Sequence, residues 1–271
     1  MTEGPWRDGP PWGMSDPLIA RMERIAHEVA AEWGLRLGPR ITAGRYSYVA
    51  LAGDAVLKIV PREDDDADHI ADALRFWDGV GAVRLLRHDP ARRALLLERL
   101  IPGTEASQLS DDEAAAVAID VGRKIWRTPP RGHPFRSIHE WVRRWMPADD
   151  AHPLVPAARQ VYEGMRPRVD RLVHQDYHHH NLLRRGGEWV VIDPKPFVGE
   201  PEFDAPPFLA NPMGATVTRE RTERLIRAFA DAGLDGDRIR SWSIVRGVLD
   251  ELPVRPGEPE GDRMRIARML L

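Results

Sequence analysis

Four polar side chains between residues 174 and 193 have the types and spacing of a phosphoryl-transfer site. His174, Asp176 and Asn181 form the pattern His-x-Asp-x-x-x-x-Asn, and Asp193 ends an apolar run that follows a glycine pair. Phosphoryl transfer needs a carboxylate that accepts the hydroxyl proton, and oxygen ligands for the magnesium that bridges the phosphates. An aspartate, an asparagine five residues later and an aspartate after the next hairpin supply these groups. The spacing therefore predicts phosphoryl transfer to a hydroxyl.

Two other interpretations apply to the same segment. Asp and Asn often cap turns in loops without any catalytic role. The run His178-His179-His180 could indicate a metal site, because imidazole is a common zinc ligand. Consecutive loop residues point in different directions, however, and no second ligand pair stands nearby at i, i+4 spacing. The ordered set favours phosphoryl transfer, with a metal-storage or metal-sensing protein as a distant alternative.

Composition and charge narrow the class of protein. The chain has 271 residues, of which 42% are apolar and 30% charged, as in an ordinary globular protein. A net charge of −3 provides no basic field for nucleic acid, and the lack of cysteine excludes disulfides and thiolate sites. The first residues lack the basic start and apolar core that are typical of a signal peptide, and no stretch has about 18 consecutive apolar residues. We expect a cytoplasmic protein with no nucleic-acid or membrane partner.

The first hundred residues predict a small lobe of mixed helices and strands. Residues 1–14 are rich in Pro and Gly and predict a loose arm. Apolar residues at helical spacing then run from Leu18 to Trp33, before Gly34. The following segments predict strands at 45–51, 55–60, 83–86 and 94–98, with a helix that carries Ile70, Leu74 and Trp77 on one face. This lobe spans residues 15–100. The acidic run at 63–68 predicts a solvated helix start in preference to a cation site.

Residues 101–271 predict a larger and mainly helical lobe. Ile101-Pro102-Gly103 interrupts the strand pattern and indicates a hinge. Helical patterns follow at 111–127, 138–145, 154–165, 219–232 and 237–249, and a short final helix ends the chain. The fold class is therefore α+β, with a small antiparallel-sheet lobe followed by a larger helical lobe.

Several stretches, in order along the chain, resemble the aminoglycoside phosphotransferase superfamily of protein-kinase-like folds. Besides the motif at 174–181, they are Ile-Asp-Pro-Lys at 192–195, AVLKI at 55–59, ALRFWDG at 73–79, LLLERL at 95–100 with Pro102-Gly103, GHPF at 132–135, and residues 199–204. The similarity covers roughly residues 30–250 and is greatest to the streptomycin and hydroxyurea kinase branch. It implies a two-lobed fold with ATP in the cleft between the lobes.

The resemblance also implies a role for individual residues. Asp176 would be the catalytic base and His174 a brace of the catalytic loop, while Asn181 and Asp193 would bind Mg²⁺. Asp204 would bond to the catalytic loop. The implied nucleotide-binding residues are Lys58 on the phosphates, the Gly44 to Ser47 turn over them, and the hinge residues Glu98, Arg99 and Leu100 on adenine.

The chain departs from the kinase pattern in two places. The first turn has Gly44 but no GxGxxG, and Ile70 stands near where an acid would pair with Lys58. Asp66, Asp68 or Asp72 are alternative partners for the lysine. A catalytically weakened ATP- or ligand-binding protein on the same fold is therefore the alternative to an active kinase.

The resemblance favours a small hydroxyl-bearing acceptor. An aminoglycoside or aminocyclitol such as streptomycin comes first and hydroxyurea-like compounds next, while a metabolic sugar or amino alcohol remains possible from the sequence. Between Asp193 and Asp204 there is no long segment resembling a protein-kinase activation loop. We therefore infer no protein partner.

Overall fold

The computed structural model describes residues 16–41, 47–150, 152–168, 170–252 and 259–271. The predicted arm at residues 1–14 lies outside the described residues, and so does Gly44.

The N-terminal part is a four-stranded antiparallel sheet with two helices. Its strand order is β1-β2-β4-β3, and the turn at Gly53 (φ 66°) allows β1 and β2 to form a tight hairpin. In chain order the elements are α1 (Asp16–Trp33), β1 (Tyr48–Ala52), β2 (Ala55–Ile59), α2 (Ile70–Trp77), β3 (Leu85–Asp89) and β4 (Ala94–Glu98). The predicted helices and strands of this part are confirmed to within a few residues.

The C-terminal part contains seven helices among its described residues: α3 (Asp111–Ile125), α4 (Ile138–Trp145), α5 (Val155–Gly164), α6 (Ala205–Leu209), α7 (Arg219–Asp231), α8 (Gly236–Leu249) and α9 (Asp262–Leu270). It also contains the strands β5 (Pro102–Glu105), β6 (Arg136–Ser137), β7 (Arg171–Val173), β8 (Leu182–Arg185), β9 (Glu188–Val191) and β10 (Phe197–Gly199). These strands form two small sheets, ordered β5-β8-β9 and β6-β10-β7. The sequence did not predict α6, β6, β7 or β10. The predicted hinge at 101–103 overlaps β5, which begins at Pro102.

Apolar packing joins the two parts of the chain. Met22, Ala26 and Val29 of α1 pack in one cluster with Leu57 and other residues of the sheet. A larger core extends from α2 through α3 to α8. Trp77, fully buried at the end of α2, donates from its indole nitrogen to the carbonyl oxygen of Ile125 in α3 at 2.9 Å.

Within the described ranges, no helix combines the length and hydropathy that spanning a membrane would need.

Candidate active site

The loop between β7 and β8 brings Asp176 and Asn181 together. The Asn181 side-chain amide donates to the backbone carbonyl oxygen of Asp176 at 2.9 Å and lies 3.4 Å from its Oδ2. The Asn181 carbonyl oxygen accepts from the backbone N–H of Ile192, which is one residue before Asp193. The loop and the end of the β8–β9 hairpin are thus held side by side.

His174 lies beneath this loop and is fully buried. Its Nε2 is 2.8 Å from the carbonyl oxygen of Ile192, which can only accept, so Nε2 carries the proton. Burial lowers the pKa of His174 from its ordinary value, and the ring is therefore neutral near pH 7. This placement favours a bracing role for His174 over direct contact with substrate.

Asp204 anchors the start of the loop from below. Its buried carboxylate accepts hydrogen bonds from the backbone N–H groups of His174 (2.9 Å) and Gln175 (2.7 Å), and from the indole N–H of Trp126 (2.8 Å). Gly122 lies one helical turn before Trp126, and a Cβ at that position would stand 2.3 Å from the indole ring. The glycine therefore leaves the space that Trp126 needs to reach Asp204.

Two residues near this loop have unusual backbone geometry, one after β7 and one after β9. Gln175 (φ 69°) and Asp193 (φ 54°) both adopt the left-handed region, which is unfavourable for residues other than glycine. Such conformations cost about 1–3 kcal/mol each and concentrate at functional sites.

The buried guanidinium of Arg246 in α8 donates to the Gln175 carbonyl oxygen at 2.8 Å and to that of Phe203 at 3.0 Å. Sequence reasoning gave no signal for this arginine.

Lys58 on β2 reaches across to Asp193. The lysine side chain is 6% exposed and its Nζ donates to Asp193 Oδ1, while the Asp193 carboxylate is 36% exposed. Burial would raise the pKa of Asp193, but the positive charges of Lys58 and Lys195 outweigh it and lower the pKa. Asp193 is therefore ionised, and the sheet lysine and the hairpin aspartate meet in one cleft.

Asp176 is also ionised and partly open, with 35% of its side chain exposed. Desolvation would raise its pKa, but His178, whose Nε2 lies 3.5 Å from Asp176 Oδ1, and the more distant Arg263 lower the pKa well below the usual range. An ionised carboxylate is a hydrogen-bond acceptor only. Asp176 can therefore accept a hydrogen bond from a hydroxyl in the cleft.

The oxygen ligands of this cleft fit magnesium better than a softer metal. Mg²⁺ is commonly bound by one or two carboxylates together with substrate phosphates. The partly exposed Asp193 carboxylate and the Asn181 amide oxygen are ligands of this kind. Among the described residues, no group of three or more His, Cys, Asp or Glu side chains could hold a metal ion. A cation here would take part of its coordination from a nucleotide.

None of the acids considered as partners of Lys58 contacts it in the structure. Asp66 Oδ1 accepts from Arg136 at 2.9 Å, Asp68 pairs with Arg93, and Asp72 lies near His69 and Arg75. Ile70 is buried in the main core.

The expectation of a solvated acidic run is wrong for its central residues. Asp64 and Asp66 are 0% and 4% exposed, because the segment packs against cations of the C-terminal part. Asp64 bonds to Lys195, and Asp65 bonds to Arg144 at 2.5 Å. Burial raises the pKa of Asp66 to about 6, despite the nearby Arg136.

The predicted hinge residues lie at the end of β4, where Glu98 is the last residue of the strand and Arg99 and Leu100 follow it. The backbone N–H groups of Glu98 and Arg99 donate to the carbonyl oxygens of Arg84 and Asp54, at 3.0 and 3.3 Å. They are therefore engaged within the protein, and adenine contacts from this segment would come from carbonyl oxygens or from Leu100. Ser47 is buried directly before the first residue of β1.

The three consecutive histidines have different surroundings. His178 lies beside Asp176, His179 is buried and stacks on Phe208 with ring centroids 4.0 Å apart, and His180 pairs with Glu105 at 2.7 Å. They do not converge on one point, as expected for neighbouring loop residues.

The chain is similar in sequence to known kinases and phosphotransferases. A family model described as aminoglycoside/hydroxyurea antibiotic resistance kinase matches residues 41–254. Streptomycin 6-kinase of Streptomyces glaucescens is 32% identical over 251 residues, covering 84% of this chain and 81% of that protein. Hydroxyurea phosphotransferase of Kitasatospora aureofaciens is 34% identical over 272 residues, covering 92% and 78%.

A solved structure shows the same fold at low sequence identity. It is a thermostable mutant of an aminoglycoside phosphotransferase in ternary complex with ADP and hygromycin B. It has a TM-score of 0.60 and 16% identity, and the match covers 90% of this chain and 96% of that one. The architecture is thus the two-lobed, protein-kinase-like α+β fold that the sequence predicted.

Fold and sequence together define a phosphotransferase of the protein-kinase-like class. The family model spans well over half of the chain, and both named relatives exceed 30% identity. The chain belongs to the aminoglycoside/hydroxyurea antibiotic resistance kinase family, and it is a small-molecule kinase.

Proposed function

We propose that the chain transfers the γ-phosphoryl group of ATP, with Mg²⁺, to a hydroxyl of a small polar molecule, with an aminocyclitol antibiotic such as streptomycin as the leading acceptor. The carrying observation is the contact between Lys58 and Asp193, two residues 135 positions apart, in the cleft beside Asp176 and Asn181. The two named relatives support an antibiotic-like acceptor, and the ADP in the solved relative supports a nucleotide donor.

In this proposal each part of the chain has a distinct task. Residues 15–100 bind the nucleotide, with Lys58 on its phosphates, and residues 101–271 carry the catalytic loop and the acceptor pocket. Asn181 and Asp193 hold Mg²⁺, which when bound neutralises charge on the phosphates. Asp176 accepts a hydrogen bond from the acceptor hydroxyl and takes its proton as the new oxygen–phosphorus bond forms. The bond between the γ-phosphorus and the β,γ-bridging oxygen of ATP breaks in the same step, and ADP leaves. His174 and Asp204 keep the loop in place.

A transfer assay with the purified chain tests the proposal. The protein is incubated with γ-labelled ATP, with and without Mg²⁺, and with panels of aminocyclitols, hydroxyurea, simple sugars, amino alcohols and generic protein substrates. Mg²⁺-dependent label on streptomycin or another aminocyclitol is the expected result. Label on hydroxyurea, or only on sugars or amino alcohols, would change the acceptor but keep the reaction. Label on proteins alone, or on none of the acceptors, would contradict the proposal.

A further inference from the structure

A second buried ion pair lies beside the candidate active site, between Lys195 and Asp64. The two side chains are 6% and 0% exposed, and Lys195 Nζ donates to Asp64 Oδ2. Lys195 follows Asp193 by two residues, and its backbone N–H donates to the carbonyl oxygen of His174 at 3.0 Å. Lys195 is therefore fixed at one end to the catalytic loop and at the other to the N-terminal lobe.

The neighbouring contacts make this a connection between the lobes. Asp64 directly precedes a short 3-10 helix that leads towards α2. Asp65 and Asp66, in that short helix, bond to Arg144 and Arg136 of the C-terminal lobe at 2.5 and 2.9 Å. The three acids thus attach the segment before α2 to the lobe that carries the catalytic loop.

Stability alone gives little reason for a buried pair at this point. Removing two charges from water is costly, and apolar residues of similar volume often serve folding equally well or better. The pair instead lies where its positive charge affects the carboxylates of the candidate active site. The charge of Lys195 acts on both Asp193 and Asp176, the two carboxylates of the cleft. Lys58, by contrast, contacts Asp193 directly.

We propose that Lys195, held by Asp64, is a positioning residue for phosphoryl transfer: it fixes the turn that carries Asp193 against the catalytic loop and leaves Lys58 for the nucleotide phosphates. In the kinase template an ion pair inside the N-terminal lobe orients the strand lysine. Here an ion pair across the lobes has the positioning task. This inference rests on the proposed function.

A double-mutant cycle separates positioning from simple structural support. Lys195→Met and Asp64→Asn each leave one buried charge unpaired, so each should lower Tm by on the order of 10 °C. The double variant removes both charges and should regain most of that loss. Its kcat should nevertheless stay below the parent value by on the order of 100-fold, because Asp193 is no longer held in place. The exposed pair Lys124–Asp120, changed in the same way, is the matched control and should leave both quantities unchanged.

Binding supplies a readout that does not require turnover. Calorimetric titration of Mg-ADP should give an affinity for the double variant about 10-fold weaker than for the parent. A double variant that regains Tm, kcat and Mg-ADP affinity together would show that the pair is only structural and overturn the inference. A parent that binds Mg-ADP but phosphorylates no acceptor would refute the proposed function alone. The comparison of Mg-ADP affinity between the parent and the double variant would then still test the positioning role of Lys195. A parent that binds no nucleotide would refute both.

The single variant Asp64→Glu provides a second test that does not depend on folding of the double variant. It keeps both charges but lengthens the acid by one methylene, so it should displace Lys195 while the pair is retained. The expected result is a folded protein with kcat about 10-fold lower. Parent-like kcat in a folded Asp64→Glu protein would overturn the positioning role.

Discussion

Changes at Asp204 and its partners should destabilise the protein according to the number of Asp204 hydrogen bonds that each change removes. Asp204 Oδ2 accepts from the His174 N–H and the Trp126 indole, and Oδ1 accepts from the Gln175 N–H. Asp204→Ala leaves all three buried donors without their acceptor. In Asp204→Asn the amide oxygen can occupy the Oδ2 position and keep two donors, while its NH₂ group faces the third. Trp126→Phe removes one donor and keeps most of the ring.

The magnitudes follow from the cost of an unpaired buried donor, about 1–3 kcal/mol. Asp204→Ala should therefore lower the free energy of unfolding by about 3–9 kcal/mol, a large part of the roughly 5–15 kcal/mol of a typical protein. Asp204→Asn should cost about 1–3 kcal/mol, and Trp126→Phe about 1 kcal/mol. The exposed Asp170, replaced by Ala, is the control and should change the free energy by less than about 0.5 kcal/mol.

Urea denaturation with linear extrapolation measures all four variants. The expected order of destabilisation is Asp204→Ala, then Asp204→Asn, then Trp126→Phe, with the control near the parent. If Asp204→Ala unfolded at the parent's urea concentration, the three hydrogen bonds would not hold the loop. A Trp126→Phe protein less stable than Asp204→Ala would equally refute the reasoning.

Three further predictions concern the cleft and the loop. Lys58→Ala should lower turnover about 100-fold, as for loss of one preorganised cation; unchanged kcat would mean that another group neutralises the phosphates. Asp193→Ala should weaken calorimetric Mg-ATP binding more than Asn181→Ala, because it removes a full charge; parent-like binding of both would remove the metal assignments. Burial lowers the pKa of His179 to about 3, so stability present above pH 6.5 is lost as the pH falls towards 3. In His179→Phe the decrease in the free energy of unfolding between pH 7 and pH 5 should be about 2 kcal/mol smaller than in the parent. A pH profile of urea unfolding identical to that of the parent would contradict this.

The sequence was most informative where structure is local. The helices α1, α3, α7 and α8 have apolar residues at helical spacing over several turns and residues typical of a helix start or end. All four lie within a few residues of their predicted bounds. The motif from His174 to Asp193 is also local, because one loop and one hairpin bring its residues together.

The sequence was least informative where structure depends on distant partners. Strands β6, β7 and β10 have two or three residues each, too few for a periodic pattern. Strand β10 pairs with both of the others, with β7 about 25 residues earlier and with β6 about 60 residues earlier. The acidic run shows only its charge in the sequence, and the cation that buries Asp64 lies 131 residues later. Lys195 was visible in the Ile-Asp-Pro-Lys stretch, but nothing local indicated its partner. The buried Arg246 had no signal at all.

The most direct test of the central claim is phosphoryl transfer by Asp176→Asn compared with Asp170→Asn. Both changes convert an aspartate to its amide, and only Asp176 lies in the cleft beside Asn181. With γ-labelled ATP, Mg²⁺ and the acceptor identified in the panel, Asp176→Asn should lose transfer by on the order of 10²–10⁴-fold while binding Mg-ATP like the parent. Asp170→Asn should retain parent activity. Transfer by Asp176→Asn at the parent rate would contradict the assignment of Asp176 as the catalytic base.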